Sequence, residues 1–204
     1  MEGDHEVPND NALCLGIMIN GPPGCGKDTA AARLMELFSA EGEDTLHYAF
    51  KDPLIDIVVR FYNVDRAIWD LWYTREGKEI PREQLGGRSC RGALIFVAQE
   101  VLKPEFGDDC IANLYIKKCA QHTPTVVVNS DLGFNIELQV CARVFTHIIV
   151  VRLSRTGTDY SDDSRGYVNV QSLNIQYIDI DNNDGLGAFI EKINAFYNMI
   201  QIMY

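Results

Sequence analysis

Leu13-Cys-Leu-Gly-Ile-Met-Ile-Asn20 leads directly into Gly21-Pro-Pro-Gly-Cys-Gly-Lys27, and Asp28-Thr-Ala-Ala-Ala-Arg-Leu-Met-Glu-Leu-Phe38 follows. The first segment is almost continuously apolar, which is typical of a strand buried on both faces of a parallel sheet. The third segment is rich in helix-forming residues and places its apolar side chains on one face. The sequence therefore predicts a buried strand, a glycine-rich turn and an amphipathic helix.

The glycine-rich turn has the G-x-x-x-x-G-K spacing of a phosphate-binding loop. Its glycines let successive backbone N–H groups point at phosphate oxygens, and the helix that follows adds its positive N-terminal end. The strict pattern has Ser or Thr after Lys27, whereas this chain has Asp28 and then Thr29. We therefore expect Asp28 to face Mg²⁺ and the Thr29 hydroxyl to bind phosphate. The residues of this segment expected to bind ATP are Gly21, Gly24, Cys25, Gly26, Lys27, Asp28 and Thr29.

Strand and helix patterns alternate along the rest of the chain, with further strands expected at 45–50, 125–130, 147–153 and 174–180. This alternation predicts an α/β fold of the three-layer α/β/α type, with a mostly parallel central sheet and helices on both faces. Ligands bind such sheets at the carboxyl ends of the strands.

We expect a single domain over residues 13–204, preceded by a disordered lead at 1–12. Within the domain, residues 63–122 are expected to form a helical substrate-binding insertion. The polar segment 154–167 has the composition of a mobile lid.

Composition excludes several classes of protein. Of the 204 residues, 47% are hydrophobic and 23% are charged, which argues against a wholly disordered chain. A net charge of −11 argues against binding to a nucleic-acid backbone. No apolar run is long enough to span a membrane, and the acidic N-terminus does not resemble a signal peptide, so we expect a cytoplasmic protein. The six cysteines are scattered, which favours reduced thiols over a metal site.

Polar residues outside the glycine-rich turn supply further candidates. Asp131 ends a strongly apolar strand, where a carboxylate can hold Mg²⁺ near the phosphates. Lys51 and Asp52 follow another strand end, where an acceptor substrate could be bound. Arg88 and Arg91 are three residues apart, which would place both guanidinium groups on one side of a helix. Phe50, Trp69, Trp72 and Tyr73 are candidates for stacking on a base, and of these we expect Trp72 to bind the substrate.

Several short motifs, in order, resemble the phage deoxynucleoside monophosphate kinases. They are GKDTAA at 26–31, FKDPL at 50–54, KE at 78–79, GRSCR at 87–91, NSDLGF at 129–134 with Glu137, and NNDG at 182–185. The segment Gly21–Thr29 also looks like that of adenylate-kinase-type enzymes. The resemblance implies transfer of the ATP γ-phosphate to a deoxynucleoside monophosphate (dNMP), with Mg²⁺, by a homodimeric enzyme of phage origin.

The resemblance also implies roles for individual residues. Lys27 and Asp131 would be catalytic, together with Arg88 and Arg91, which would hold the acceptor phosphate. The substrate-binding residues would be Lys51, Asp52, Trp72, Arg88, Arg91 and Glu137. The related kinases carry an arginine two residues after the aspartate, where this chain has Gly133. We expect Arg152 or Arg155 to replace it, and Arg152, Arg155 and Arg165 to contact ATP when the lid closes.

Two alternatives remain open from the sequence. One is another small-molecule kinase with the same loop, of the adenylate or guanylate type. The other is a nucleotide-binding protein that has lost catalysis, which the glycine at position 133 favours. A GTPase switch is disfavoured because the chain has no NKxD sequence.

Overall fold

The computed structural model describes residues 13–161 and 163–203, so the lead expected at 1–12 lies outside the described residues. Five strands form one parallel sheet in the order β2-β3-β1-β4-β5. The strands are β1 (Leu13–Asn20), β2 (Thr45–His47), β3 (Val126–Leu132), β4 (Phe145–Ser154) and β5 (Gln176–Asp181). The predicted α/β class and parallel sheet are confirmed.

Eight α-helices connect and flank these strands in the described part of the chain. They are α1 (Lys27–Ala40), α2 (Lys51–Phe61), α3 (Arg66–Trp72), α4 (Cys90–Phe96), α5 (Lys103–Phe106), α6 (Cys110–His122), α7 (Asn135–Cys141) and α8 (Gly185–Met203). A π-helical segment, Val97–Leu102, joins α4 to α5. Within residues 13–161 and 163–203, no helix is long and apolar enough to cross a membrane.

Successive residues of the central strand β1 pack into two separate hydrophobic cores because strand side chains alternate between the faces of a sheet. Ile17 and Ile19 face one core, which α1 and α8 close with side chains such as Phe38 and Phe189. Met18 faces the other core, which is closed by helices that include α2, α4, α6 and α7. Helices therefore cover both faces of the sheet, which leaves the ends of the strands accessible to ligands.

Strand β2 is shorter than predicted: it ends at His47, and α2 begins at Lys51 with Phe50 as its N-cap. The Asp131 carboxylate accepts hydrogen bonds from the backbone N–H of Phe50 at 2.8 Å and of Lys51 at 3.2 Å. These two groups lie at the start of α2, where backbone N–H groups have no partner inside the helix. A residue at the end of β3 thus determines where α2 begins.

Asn20, at the carboxyl end of β1, holds the segment that was expected to be a mobile lid. Its side-chain amide is fully buried and donates hydrogen bonds to the carbonyl oxygens of Leu132 and Gly166 and to the Tyr160 hydroxyl. Its oxygen accepts from the backbone N–H of Val168. The later part of the segment is therefore tied to the sheet, while its earlier residues, 155–159, are mostly exposed.

We expect Asn20→Ala to lower the free energy of unfolding by about 2–4 kcal/mol, because it leaves several buried polar groups without partners. Urea unfolding of both proteins measures the difference. Asn113→Ala is the matched control, since this asparagine is exposed on α6. A change equal to that of the control would contradict the role given to Asn20.

Candidate functional site

The glycine-rich loop adopts a conformation that depends on its glycines. Gly24 and Gly26 have φ angles of +82° and +111°, which residues other than glycine rarely adopt. A Cβ atom on Gly21 would lie 2.6 Å from both Cys25 Sγ and the Leu153 carbonyl oxygen. The loop therefore packs closely against the end of β4 and leads into the N-terminus of α1.

Lys27 curls back over this loop. Its Nζ donates hydrogen bonds to the carbonyl oxygens of Gly21 at 2.6 Å and Pro22 at 2.8 Å. Burial lowers the pKa of Lys27, and burial raises the pKa of the Cys25 thiol beside it. The structure thus places an ammonium group at the loop. Cys25 is fully buried and lines neither of the two cavities of the site, so its placement does not support the predicted contact with ATP.

A cavity of about 820 Å³, here called the large cavity, lies over the glycine-rich loop. Five of the seven residues predicted to bind ATP line it, namely Gly24, Gly26, Lys27, Asp28 and Thr29, whereas Gly21 and Cys25 are buried and do not. The end of β5 and the start of α8 close the opposite side with Asn182, Asn183, Leu186 and Phe189. Asn182 also donates a hydrogen bond to the Cys25 carbonyl oxygen at 3.0 Å, which joins the two sides.

A second cavity of about 200 Å³, here called the small cavity, lies between α2, the helical segment 90–106 and α6. Much of its lining is apolar, from Phe50, Leu54, Leu94, Ile111 and Phe134. This apolar part suits the face of a flat ring system such as a base, and the polar and charged residues that also line the cavity suit the ring's polar edge.

Six residues line both cavities, and we call this set the junction. They are Lys51, Tyr73, Lys78, Arg91, Asp131 and Arg165. Four of the six are cationic, although the chain as a whole carries a net charge of −11. A concentrated positive charge where two cavities meet suits an anionic group that faces both.

Asp131 lies in the junction; it was expected directly after a strand at 125–130, and it is the second-last residue of β3, which ends at Leu132. Besides its bonds to the start of α2, its carboxylate lies 3.7 Å from Lys51 Nζ. Burial alone would lower the pKa of Lys51, but Asp131 and Asp52 raise it above its usual value. The ammonium group therefore stays charged beside the cavities.

The residues that line the large cavity fit a magnesium ion held partly by phosphate. Asp28 and Asp131 contribute carboxylates, and Thr29 and Ser130 contribute hydroxyl groups, which are the oxygen donors that Mg²⁺ prefers. In the described part of the chain, no group of three or more His, Cys, Asp or Glu could hold a metal by itself. Phosphate oxygens and water would have to supply the remaining ligands.

Arg165 occupies the space that a side chain at position 133 would need. A Cβ atom on Gly133 would lie 2.4 Å from Arg165 Cδ, 2.6 Å from its Cγ and 2.8 Å from its Cβ. The guanidinium group reaches the junction from the segment that follows β4. The glycine at 133 therefore makes room for a cation supplied from elsewhere in the chain.

Arg155 and Arg152, the replacements that we expected, lie elsewhere. Arg155 lines the large cavity near the glycine-rich loop and does not reach the junction. Arg152 lines neither cavity. Its guanidinium group forms two 2.7 Å hydrogen bonds with Asp179 on β5 and stacks on Tyr177. The expectation that Arg152 binds the cofactor is not supported by this placement.

Three predicted substrate residues also lie outside both cavities. Arg88 precedes α4, whose N-cap is Ser89, so it does not share a helix face with Arg91 and stacks on Phe96 instead. Asp52 accepts the backbone N–H of Ala49 at 2.8 Å. The ring of Trp72 packs against the core and lies under the Arg82 guanidinium group.

The structure brings two further residues to the cavities: Tyr73, which was a candidate for base stacking but not a predicted site residue, and Asp163, which the sequence did not indicate. Tyr73, rather than its neighbour Trp72, is the aromatic residue of the junction. Asp163, in the expected lid, lines the small cavity beside Arg91 and Arg165. The local sequence around Asp163 does not indicate a role at the site, because its partner Arg91 comes from a distant segment of the chain.

Glu137, the last predicted substrate residue, lines the small cavity but is almost fully buried. One of its oxygens, Oε2, accepts the backbone N–H groups of Gly133 and Phe134, at 2.9 and 3.0 Å. Burial, reinforced by the nearby Asp131, raises the pKa of Glu137 to about 8. Its direct role is therefore to hold the turn between β3 and α7.

This raised pKa predicts a pH effect on stability. The folded protein binds a proton on Glu137 more tightly than the unfolded chain does, so this stability is present at low pH and is lost as pH rises through about 8. Relative to Glu137→Gln, we expect wild type to lose on the order of 2–4 kcal/mol between about pH 5 and about pH 8.5. Urea unfolding of both proteins at each pH measures it. Parallel pH profiles for the two proteins would contradict the expectation.

Comparisons with known proteins do not identify a family. No model of a known protein family matches the chain, and no curated protein matches it either. Among solved structures, the chain is similar to the crystal structure of APE1195, with 16% sequence identity and a TM-score of 0.29, over 94% of this chain and 72% of that one. A likeness this distant supports no argument about function, which has to be built from the site itself.

Proposed function

We propose that this protein is a kinase with a P-loop type of fold that transfers the γ-phosphate of ATP to a deoxynucleoside monophosphate. The observation that carries the proposal is the junction, where four cations and Asp131 line both cavities. ATP would occupy the large cavity over the glycine-rich loop, and the base of the acceptor would occupy the small cavity. The γ-phosphate and the acceptor phosphate would then meet at the junction.

Phosphoryl transfer of this kind depends on positioning and on neutralising charge, rather than on covalent help from the protein. Lys27 would contact the β- and γ-phosphates, while Arg91 and Lys51 would orient the acceptor phosphate. Arg165, which faces both cavities, would stabilise the charge that spreads over the transferred group. When bound beside Asp28 and Asp131, Mg²⁺ supplies charge neutralisation on the β- and γ-phosphates.

The position of Arg165 favours an active enzyme over a protein that only binds nucleotides. Lost catalysis was considered because position 133 is glycine, where the related kinases carry an arginine. The side chain of Arg165 occupies the space beside Gly133. The motif resemblance supports a dNMP as the acceptor, ahead of the ribonucleotides used by adenylate- and guanylate-type kinases. A homodimer, a cytoplasmic location and a phage origin are part of the same proposal.

A ligand that spans both cavities tests the arrangement of the two sites. We expect an adenosine joined to a deoxynucleoside through five phosphates to bind at least about 100-fold more tightly than either ATP or the matching dNMP alone, because linked groups bind as one ligand. Calorimetry in the presence of Mg²⁺ measures the three affinities. A linked compound that binds no better than ATP alone would contradict a shared junction.

A further inference from the structure

Asp163 connects two arginines of the junction that come from different parts of the chain. Its side chain is only 4% exposed. Arg165 Nη2 lies 2.6 Å from Asp163 Oδ2, and Arg165 Nε lies 3.0 Å from Oδ1, so the two side chains form a forked pair. Arg91 Nη2, from the first turn of α4, lies 3.4 Å from the same Oδ2 atom.

The backbone around this cluster is held in place by the sheet. The N–H of Gly166 donates to the Gly133 carbonyl oxygen at 3.1 Å, and Asn20 binds the Gly166 carbonyl oxygen at 3.0 Å. On the other side, the N–H of Arg91 donates to the Lys78 carbonyl oxygen at 3.1 Å. Both arginines are therefore positioned before any ligand arrives.

Asp163 offsets the repulsion that would otherwise separate the two guanidinium groups. Burial alone would raise the pKa of Asp163, but its hydrogen bonds from Arg165 hold that pKa at about 2, so the carboxylate is ionised at neutral pH. Glu79 Oε1 also lies 3.6 Å from Arg91 Nη1. The net positive charge at this place therefore depends on Lys51 and Lys78, which belong to the same junction. A guanidinium group has five N–H donors, and the bonds to Asp163 use only some of them. The remaining donors can bind an oxyanion.

We propose that Asp163 is a positioning residue that assembles Arg91 and Arg165 into a preformed binding site for the phosphate monoester of the acceptor. This inference rests on the proposed function for the identity of the ligand, but the anion site itself can be tested without turnover. The alternative is that Asp163 competes with phosphate for the two arginines, and it predicts the opposite effect on affinity.

The experiment compares wild type with Asp163→Asn, Asp163→Glu and the control Asp159→Asn. Asp159 lies in the same segment and is exposed, and among the described residues its carboxylate accepts hydrogen bonds from Ser161 alone. Calorimetry measures dNMP binding, and the NMR signals of the Arg91 and Arg165 Nε–H groups report binding of inorganic phosphate. We expect Asp163→Asn to weaken both affinities about 10- to 100-fold. Asp163→Glu should restore part of the loss, and the control should match wild type.

The outcomes separate the two proposals. Equal or tighter phosphate binding by Asp163→Asn, with its thermal unfolding unchanged, would overturn the positioning role. Wild type that binds phosphate at both arginines but binds no dNMP would leave the positioning role standing and refute the proposed kinase function. ATP affinity should differ by less than about 3-fold between all four proteins, because the glycine-rich loop and Lys27, which Asp163 does not contact, are expected to hold ATP. A larger loss of ATP affinity in Asp163→Asn would show general disruption and would overturn the inference.

Discussion

Lys27→Ala is expected to lower kcat/KM for phosphoryl transfer by about 10³-fold, the largest effect of any single change at this site. The Lys27 ammonium group lies at the glycine-rich loop, 2.6 Å from the Gly21 carbonyl oxygen. Two hydrogen bonds, to the carbonyl oxygens of Gly21 and Pro22, hold this ammonium group against the loop beside the large cavity. Its removal takes away the charge nearest the expected β- and γ-phosphates.

Steady-state kinetics at saturating Mg²⁺ measure this loss, and thermal unfolding checks that the variant folds. Lys117→Ala is the matched control, because this lysine is exposed on α6 and lines neither cavity. If Lys27→Ala kept more than about a tenth of wild-type kcat/KM, the loop would not be the site of the reacting phosphates.

Arg165→Ala is expected to lower kcat by about 10²- to 10³-fold, with a smaller effect on the KM for ATP. The Arg165 guanidinium group faces both cavities, so its charge is best placed where the transferred group passes between substrates. A loss mainly in kcat is the signature of an interaction made in the transition state. Rapid-quench measurement of a single turnover shows whether the chemical step itself is slowed.

Arg152→Ala is the control for this prediction. It removes an arginine at the carboxyl end of β4 whose charge is already paired with Asp179. We expect its kcat to stay within about 3-fold of wild type. If the two variants lost activity equally, or if Arg152→Ala were the more damaged, the junction would not include the reacting centre.

The sequence was informative where the signals were local. The change from an apolar run to glycines to a helical pattern at 13–38 predicted β1, the loop and α1 in their correct places. Asp131 could be predicted because a polar residue directly after a buried strand must lie at the carboxyl edge of a parallel sheet. Lys51 was predicted by the same argument, applied to β2, the neighbour of β3 in the sheet.

The remaining features depend on contacts between distant segments. Arg88 was predicted to share a helix face with Arg91, but α4 begins at Cys90, so Arg88 lies before the N-cap Ser89 and helical spacing does not apply to it. The exact first residue of a helix is difficult to read from sequence. The space beside Gly133 is filled by Arg165 from another loop, which no local pattern indicates. Trp72 and Tyr73 are neighbours, and only the rotation of α3 decides which of them reaches the junction.

Release of ADP that depends on an added acceptor is the direct test of the proposed kinase activity. The assay supplies Mg²⁺ and ATP and adds dAMP, dGMP, dCMP, dTMP or 5-hydroxymethyl-dCMP separately, with Lys27→Ala and Lys117→Ala alongside wild type. We predict that ADP is released only when one or more of these acceptors is present, and that the matching diphosphate is formed. This activity should persist in Lys117→Ala and disappear in Lys27→Ala. ATP binding without acceptor-dependent ADP release for any of the five would contradict this prediction.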